Sequence, residues 1–150
     1  MKNSVFTKSL SFILSVVLIA AIALFTVGCN GNKNETSGDQ LETNLIDNGA
    51  VLGSGEKSFS FVVVDGEGKE VSCEIKTDKG IVGDALMELG LIAGEEAQFG
   101  LYIKKVNGIY ADYDVTGTYW AFYVDGSYAM AGIDMTEIVD GSVYMLKIEK

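Results

Sequence analysis

The sequence predicts an α+β fold: a small single domain with a mixed or antiparallel sheet of short strands and one packed helix. Three observations carry this. Apolar and polar residues alternate with period two over most of residues 58–150. Turn pairs such as Asn107-Gly108, Asp125-Gly126 and Asp140-Gly141 interrupt that alternation at short intervals. Only residues 81–89 carry a convincing helical period.

The elements follow in order. Phe59, Phe61 and Val63 alternate with polar or exposed positions, Asp65-Gly66-Glu67-Gly68 forms a turn, and Val71, Cys73 and Ile75 alternate back as a hairpin. In residues 81–89, Val82, Ala85, Leu86 and Leu89 fall on one helical face. Asp84 lies in the first turn, where a negative charge suits the helix dipole, and Gly90 stands where a left-handed cap is needed. Glu95 and Glu96 read as a solvated loop after the helix. Residues 101–106 and 109–111 flank Asn107-Gly108 as a second hairpin. Residues 119–124 and 128–133 flank Asp125-Gly126 as an aromatic third, and residues 143–148 make a last strand.

Ahead of this domain, Lys2 and Lys8 precede a mostly apolar run over residues 10–27, and Gly28-Cys29 follows directly. A basic start, an apolar middle and a small residue at the cut mark an export signal. The cysteine behind the cut makes residues 1–28 a lipoprotein signal peptide, with Cys29 as the lipidated first residue. Val27 and Gly28 fit the cleavage box, although Thr26 stands where leucine is usual. A transmembrane anchor is the alternative, and both readings export the rest of the chain. Residues 29–57 are rich in Asn, Gly, Ser, Thr and acids, as expected of a flexible tether. An extra strand near residues 50–53 is the competing reading there. The expected product is an extracytoplasmic surface lipoprotein, held to the bacterial cell membrane through Cys29, with its domain at residues 58–150.

Composition excludes several functions. Without Lys2 and Lys8 the chain carries nine lysines against 21 acids, a net charge of −12, so it repels nucleic acid. Histidine and arginine are both absent. Imidazole bases, imidazole metal ligands and bidentate guanidinium clamps are therefore unavailable, and no Ser-His-Asp or Cys-His system can be built. Cys73 has no expected disulfide partner and reads as a small buried hydrophobe. Asp112, Asp114, Thr116 and Gly117 resemble half of a calcium loop, but Tyr123 stands where a bidentate acid is required. A plain turn explains them better. The sequence reads as a non-enzyme that needs no cofactor and no metal. Its distinctive segment is GTYWAFYVDGSYAMAGI, residues 117–133. Alternation there puts Trp120, Phe122 and Val124 on one face and Tyr119, Ala121 and Tyr123 on the other. One face covers the core, and the other displays tyrosines suited to contact with a partner.

Three stretches carry a family resemblance: FSFVVVDGEGKEVSCEIKTDKGIVGDALMELGLI, VNGIYADYD and YWAFYVDGSYAMAGIDMTEIVDGSVYMLKIE. Residues 59–148 resemble the transcobalamin-like C-terminal domain, a bacterial domain of unknown function (DUF4430). The resemblance implies a β-grasp-like fold similar to the β domain of transcobalamin and intrinsic factor, which closes over one side of cobalamin. It also matches Trp120 to a tryptophan near the corrinoid and residues 129–133 to a loop whose backbone lies against the ligand, and implies a cobalamin or corrinoid presented for uptake; with the aromatic Tyr119 beside them, the expected contact surface is Tyr119, Trp120, Ala129, Met130, Ala131 and Gly132. The large helical domain of the carriers is absent, so a partner protein or transporter would complete the site. The alternative expectation is a cell-envelope protein-interaction module using aromatic residues 119–130.

Overall fold

The alternation around Asp65-Gly66 becomes a hairpin of eight-residue strands in the computed structural model, which describes residues 41–150. β1 is Ala50–Gly53, β2 is Lys57–Val64 and β3 is Glu70–Thr77. Phe59, Phe61, Val63, Cys73 and Ile75 point inward and are buried, as a period of two requires. The short helix α1, Val82–Glu88, follows and buries Val82, Ala85 and Leu86. Then come β4 (Ile92–Ala97), β5 (Gly100–Val106), β6 (Ile109–Tyr110), a single turn α2 (Tyr113–Thr116), β7 (Tyr119–Val124), β8 (Ser127–Tyr128) and β9 (Val143–Glu149).

The strands form two sheets. The larger is six-stranded in the order β1-β3-β2-β9-β7-β8, and the smaller is β4-β5-β6. β9 lies parallel to β2 and antiparallel to β7, so the larger sheet is mixed. A hairpin, a helix packed on the sheet and a strand inserted beside the first give the expected β-grasp-like α+β fold. Phe59, Phe61, Ile75, Leu86, Tyr144 and Leu146 are completely or almost completely buried in one core. Each such side chain contributes roughly 1.5–3 kcal/mol. Tyr144 sits at the centre, with the Phe59 ring edge-on at 5.1 Å and the Phe122 ring stacked at 6.2 Å.

Three expectations need correcting. First, the tether does not extend to Lys57. Ile46 is buried, its amide donates to Asn107 Oδ1 at 2.7 Å, and β1 pairs in parallel with β3. The folded body therefore takes in residues ahead of Ser58. Second, Glu95 and Glu96 belong to β4, not a loop. β5 pairs with β4 across a bulge at Ala93/Gly94, and Lys104 reaches Glu95 Oε2 at 2.8 Å. Third, the strand expected over residues 128–133 ends at Tyr128, because the carbonyls beyond it bond to α1 and not to a strand. The turn expected over Asp112–Gly117 is present as the single turn α2. Asp112 Oδ1 caps it by accepting from the Asp114 amide at 3.1 Å. The signal peptide, Cys29 and the tether up to residue 40 lie outside the described residues. Among the described residues no helix is long and apolar enough to cross a membrane.

Candidate functional site

β7 reads Tyr-Trp-Ala-Phe-Tyr-Val, and pleating sends Trp120 and Phe122 to the core face. Asp125 and Gly126 both take positive φ, 48° and 82°, as a two-residue hairpin turn demands. β8 then pairs Tyr128 with Tyr123, and one further bond, Ala129 N–H to Phe122 O at 2.9 Å, carries the chain off the sheet. Residues 129–136 form an arm that crosses to the start of α1. There the Gly83 amide donates to Ile133 O and the Val82 amide to Thr136 O, both at 2.9 Å. Ile81 occupies the N-cap position without a side-chain cap. The arm's carbonyls instead satisfy amides that a helix start leaves unpaired.

Between the arm, β7 and β5 lies a groove of about 280 Å³. It brings together all six residues singled out in the sequence: Tyr119, Trp120, Ala129, Met130, Ala131 and Gly132. Trp120 is 7% exposed, whereas the Met130 side chain stands wholly in solvent. The Trp120 indole Nε1 is buried and has no hydrogen-bond partner. A buried unpaired donor costs roughly 1–3 kcal/mol. The opposite wall comes from Leu101, Tyr102 and Ile103 of β5, which the sequence did not single out. Their alternation marked a strand, but nothing local told which strand they face. Two larger hollows exist, about 450 Å³ beside β1 and about 510 Å³ between α1 and the β4–β5 hairpin. None of the six converges on either.

The other face of β7 carries tyrosines. Tyr123 and Tyr128 meet edge-to-face at 5.4 Å, and Tyr113 meets Tyr119 at 6.5 Å. Tyr123 donates to Glu149 Oε1 at 2.6 Å. That bond and partial burial push the Tyr123 hydroxyl up to about 12, and the same bond holds the Glu149 carboxyl below its usual range. Ala121 lies on this face yet is buried.

Beside the groove, Tyr102 accepts the Tyr113 amide at 2.9 Å and so ties α2 to β5. Lys104 bridges Glu95 at 2.8 Å and Asp112 at 3.1 Å, and Tyr110 donates to Asp112 Oδ2 at 3.0 Å. Burial works to raise the Asp112 carboxyl. Bonds from Lys104, Tyr110 and the Asp114 amide outweigh it and hold that carboxyl below its usual range. Cys73 is buried and free, and burial pushes its thiol up to about 11, well away from a reactive thiolate. Among the described residues no cluster of three or more Cys, Asp or Glu side chains is arranged to hold a metal ion.

Residues 81–150 match the family model described as a domain of unknown function, DUF4430. This segment is thus similar to the DUF4430 family. The match opens at α1 and takes in the arm, β7 and the whole groove wall. β1 to β3 lie ahead of it, although the resemblance read from the sequence starts at Phe59. A "putative metal binding protein from Ruminococcus gnavus ATCC 29149" shares the fold at TM-score 0.60 and 28% identity. That similarity covers 63% of this chain and 98% of the other. Haptocorrin, solved in complex with Cbi, matches at TM-score 0.51 and 17% identity over 63% of this chain and 25% of its own. At that identity the likeness is one of fold, and the fold is the one expected from the resemblance to the β domain of the cobalamin carriers. No curated protein matches the chain.

Proposed function

We propose that this protein is an extracytoplasmic surface lipoprotein whose DUF4430-like domain binds without catalysing, and that the groove of Tyr119, Trp120 and the 129–132 arm holds part of a cobalamin or other corrinoid for uptake. The observation that carries this reading is the convergence of those six residues on one groove, with Trp120 in its wall. Export and lipidation rest on the sequence of residues 1–29. The chain contains no histidine to ligate cobalt, so contact falls to aromatic edges and arm backbone. A groove of about 280 Å³ covers only part of so large a ligand. The remainder stays open to solvent or to an envelope or transporter partner.

A second reading has its own observation. Met130 is wholly exposed and Tyr128 is 56% exposed on the same rim. Flexible thioethers and rings of this kind suit a protein-interaction module.

The test is a titration of the full-length chain in detergent with cyanocobalamin and dicyanocobinamide, read by corrin absorption and by fluorescence of the single tryptophan. Binding quenches Trp120 and shifts the corrin bands, and Trp120→Ala weakens it substantially. Unchanged spectra at high micromolar ligand, with no co-elution, remove the corrinoid reading and leave the interaction module.

A further inference from the structure

Taking the groove of residues 119–133 as the binding site, a reading on which this step rests, we propose that Gly83 in the first turn of α1 is a positioning residue that sets where the arm lies and so how wide the groove is. Gly83 touches no ligand position itself. It is buried under the arm, and its amide donates to Ile133 O at 2.9 Å. The neighbouring amide of Val82 holds Thr136 O at the same distance, and Ile138 N–H donates to Gly80 O at 2.8 Å. The arm is stiffened internally by Thr136 Oγ1 and the Met135 amide, which donate to Gly132 O at 2.8 Å and 3.0 Å. Two contacts to the helix start, from the Gly83 and Val82 amides, and two internal bonds thus fix the segment that begins as the groove wall and ends on α1.

The fit depends on residue 83 having no side chain. A Cβ there would lie 3.1 Å from Ile133 O, 3.1 Å from Asp134 Cα and 3.2 Å from Asp134 N. All three are backbone atoms, which cannot swing aside as a side-chain tip does. Room for a methyl comes only from moving the arm itself by a few tenths of an ångström. Ile133 lines the groove and Gly132 carries the internal bonds, so the displacement is passed to the wall against Trp120. Gly80 provides a matched control, because a Cβ there meets nothing within 4 Å.

The experiment uses the full-length chain in detergent as wild type, Gly83→Ala, Gly80→Ala and Thr136→Val. Amide nitrogen–proton spectra report the arm, and cyanocobalamin titration reports the groove. Gly83→Ala is expected to shift the amides of residues 129–134 and to weaken cyanocobalamin roughly fivefold or more, as misplacement of a supporting shell does. Gly80→Ala leaves both readouts at wild type. Thr136→Val, which drops the bond to Gly132 O, moves the same amides and is read in the same way where Gly83→Ala does not fold. The idea is overturned if Gly83→Ala changes melting temperature alone while the arm amides and affinity stay put, or if Gly80→Ala matches its effect. Where the wild type binds no cyanocobalamin, the corrinoid reading falls, and the amide shifts still decide the role of Gly83.

Discussion

Removing one oxygen at the centre of the core should cost this domain a large part of its stability. Tyr144 is completely buried, and its hydroxyl does two jobs. It accepts the Val139 amide at 2.9 Å and donates to Glu137 O at 3.1 Å. Tyr144→Phe keeps the ring and its packing against Phe59 and Phe122, so no cavity forms. It leaves one part-buried amide and one carbonyl without partners. A buried group stripped of its partner costs roughly 1–3 kcal/mol, and some of this is recovered if water reaches the segment. We expect a loss of about 2 kcal/mol, which corresponds to roughly 8 °C in a domain of this size. Urea denaturation followed by tryptophan fluorescence measures it as a lower midpoint at unchanged slope. Hydrogen exchange adds a local readout, because the Val139 amide should lose protection in the variant. A midpoint within error of wild type, with Val139 still protected, would show that the hydroxyl does not pin residues 137–139 and that the reasoning fails.

Two further outcomes are expected. The Asp112 carboxyl is held below its usual range, so it favours the folded state above the unfolded value of about 3.9 and loses that contribution as pH falls through the lower folded value. The stability gap between wild type and Asp112→Asn in urea should be full at neutral pH and should close as pH falls below about 4; a gap independent of pH refutes the network assignment. Fatty-acid labelling in a bacterial host should mark the wild-type chain and not Cys29→Ser, and equal label in both would end the lipoprotein reading.

How far the sequence spoke depended on whether the relevant partners were local. α1 was legible because Val82, Ala85 and Leu86 lie one turn apart and all three are buried. The turns at Asn107-Gly108 and Asp125-Gly126 were legible because they need positive φ, which both non-glycine residues adopt. β4 was hidden, since Gly94, Glu95, Glu96 and Ala97 have poor strand propensity and pair only because β5 lies alongside. The arm was hidden for a related reason. Ala129, Ala131 and Ile133 are spaced by two, as in a strand, but the carbonyls of Ile133 and Thr136 find amides far back in the chain, on α1. The same limit applied to the candidate site. Its β7 and arm half could be named from the sequence and the family resemblance, whereas Leu101, Tyr102 and Ile103 come from a separate sheet, and no local pattern announces an inter-sheet contact.

The placement of β9 bears on how the molecule assembles. It is threaded between β2 and β7, and Phe61 meets Tyr144 across a very long stretch of intervening polypeptide. Without residues 143–149 both neighbours would present a bare edge, and Phe59 and Phe122 would lack the ring that packs between them. Closure entropy is spent before the reward comes, which makes for slow assembly and a window of vulnerability to strand-edge association.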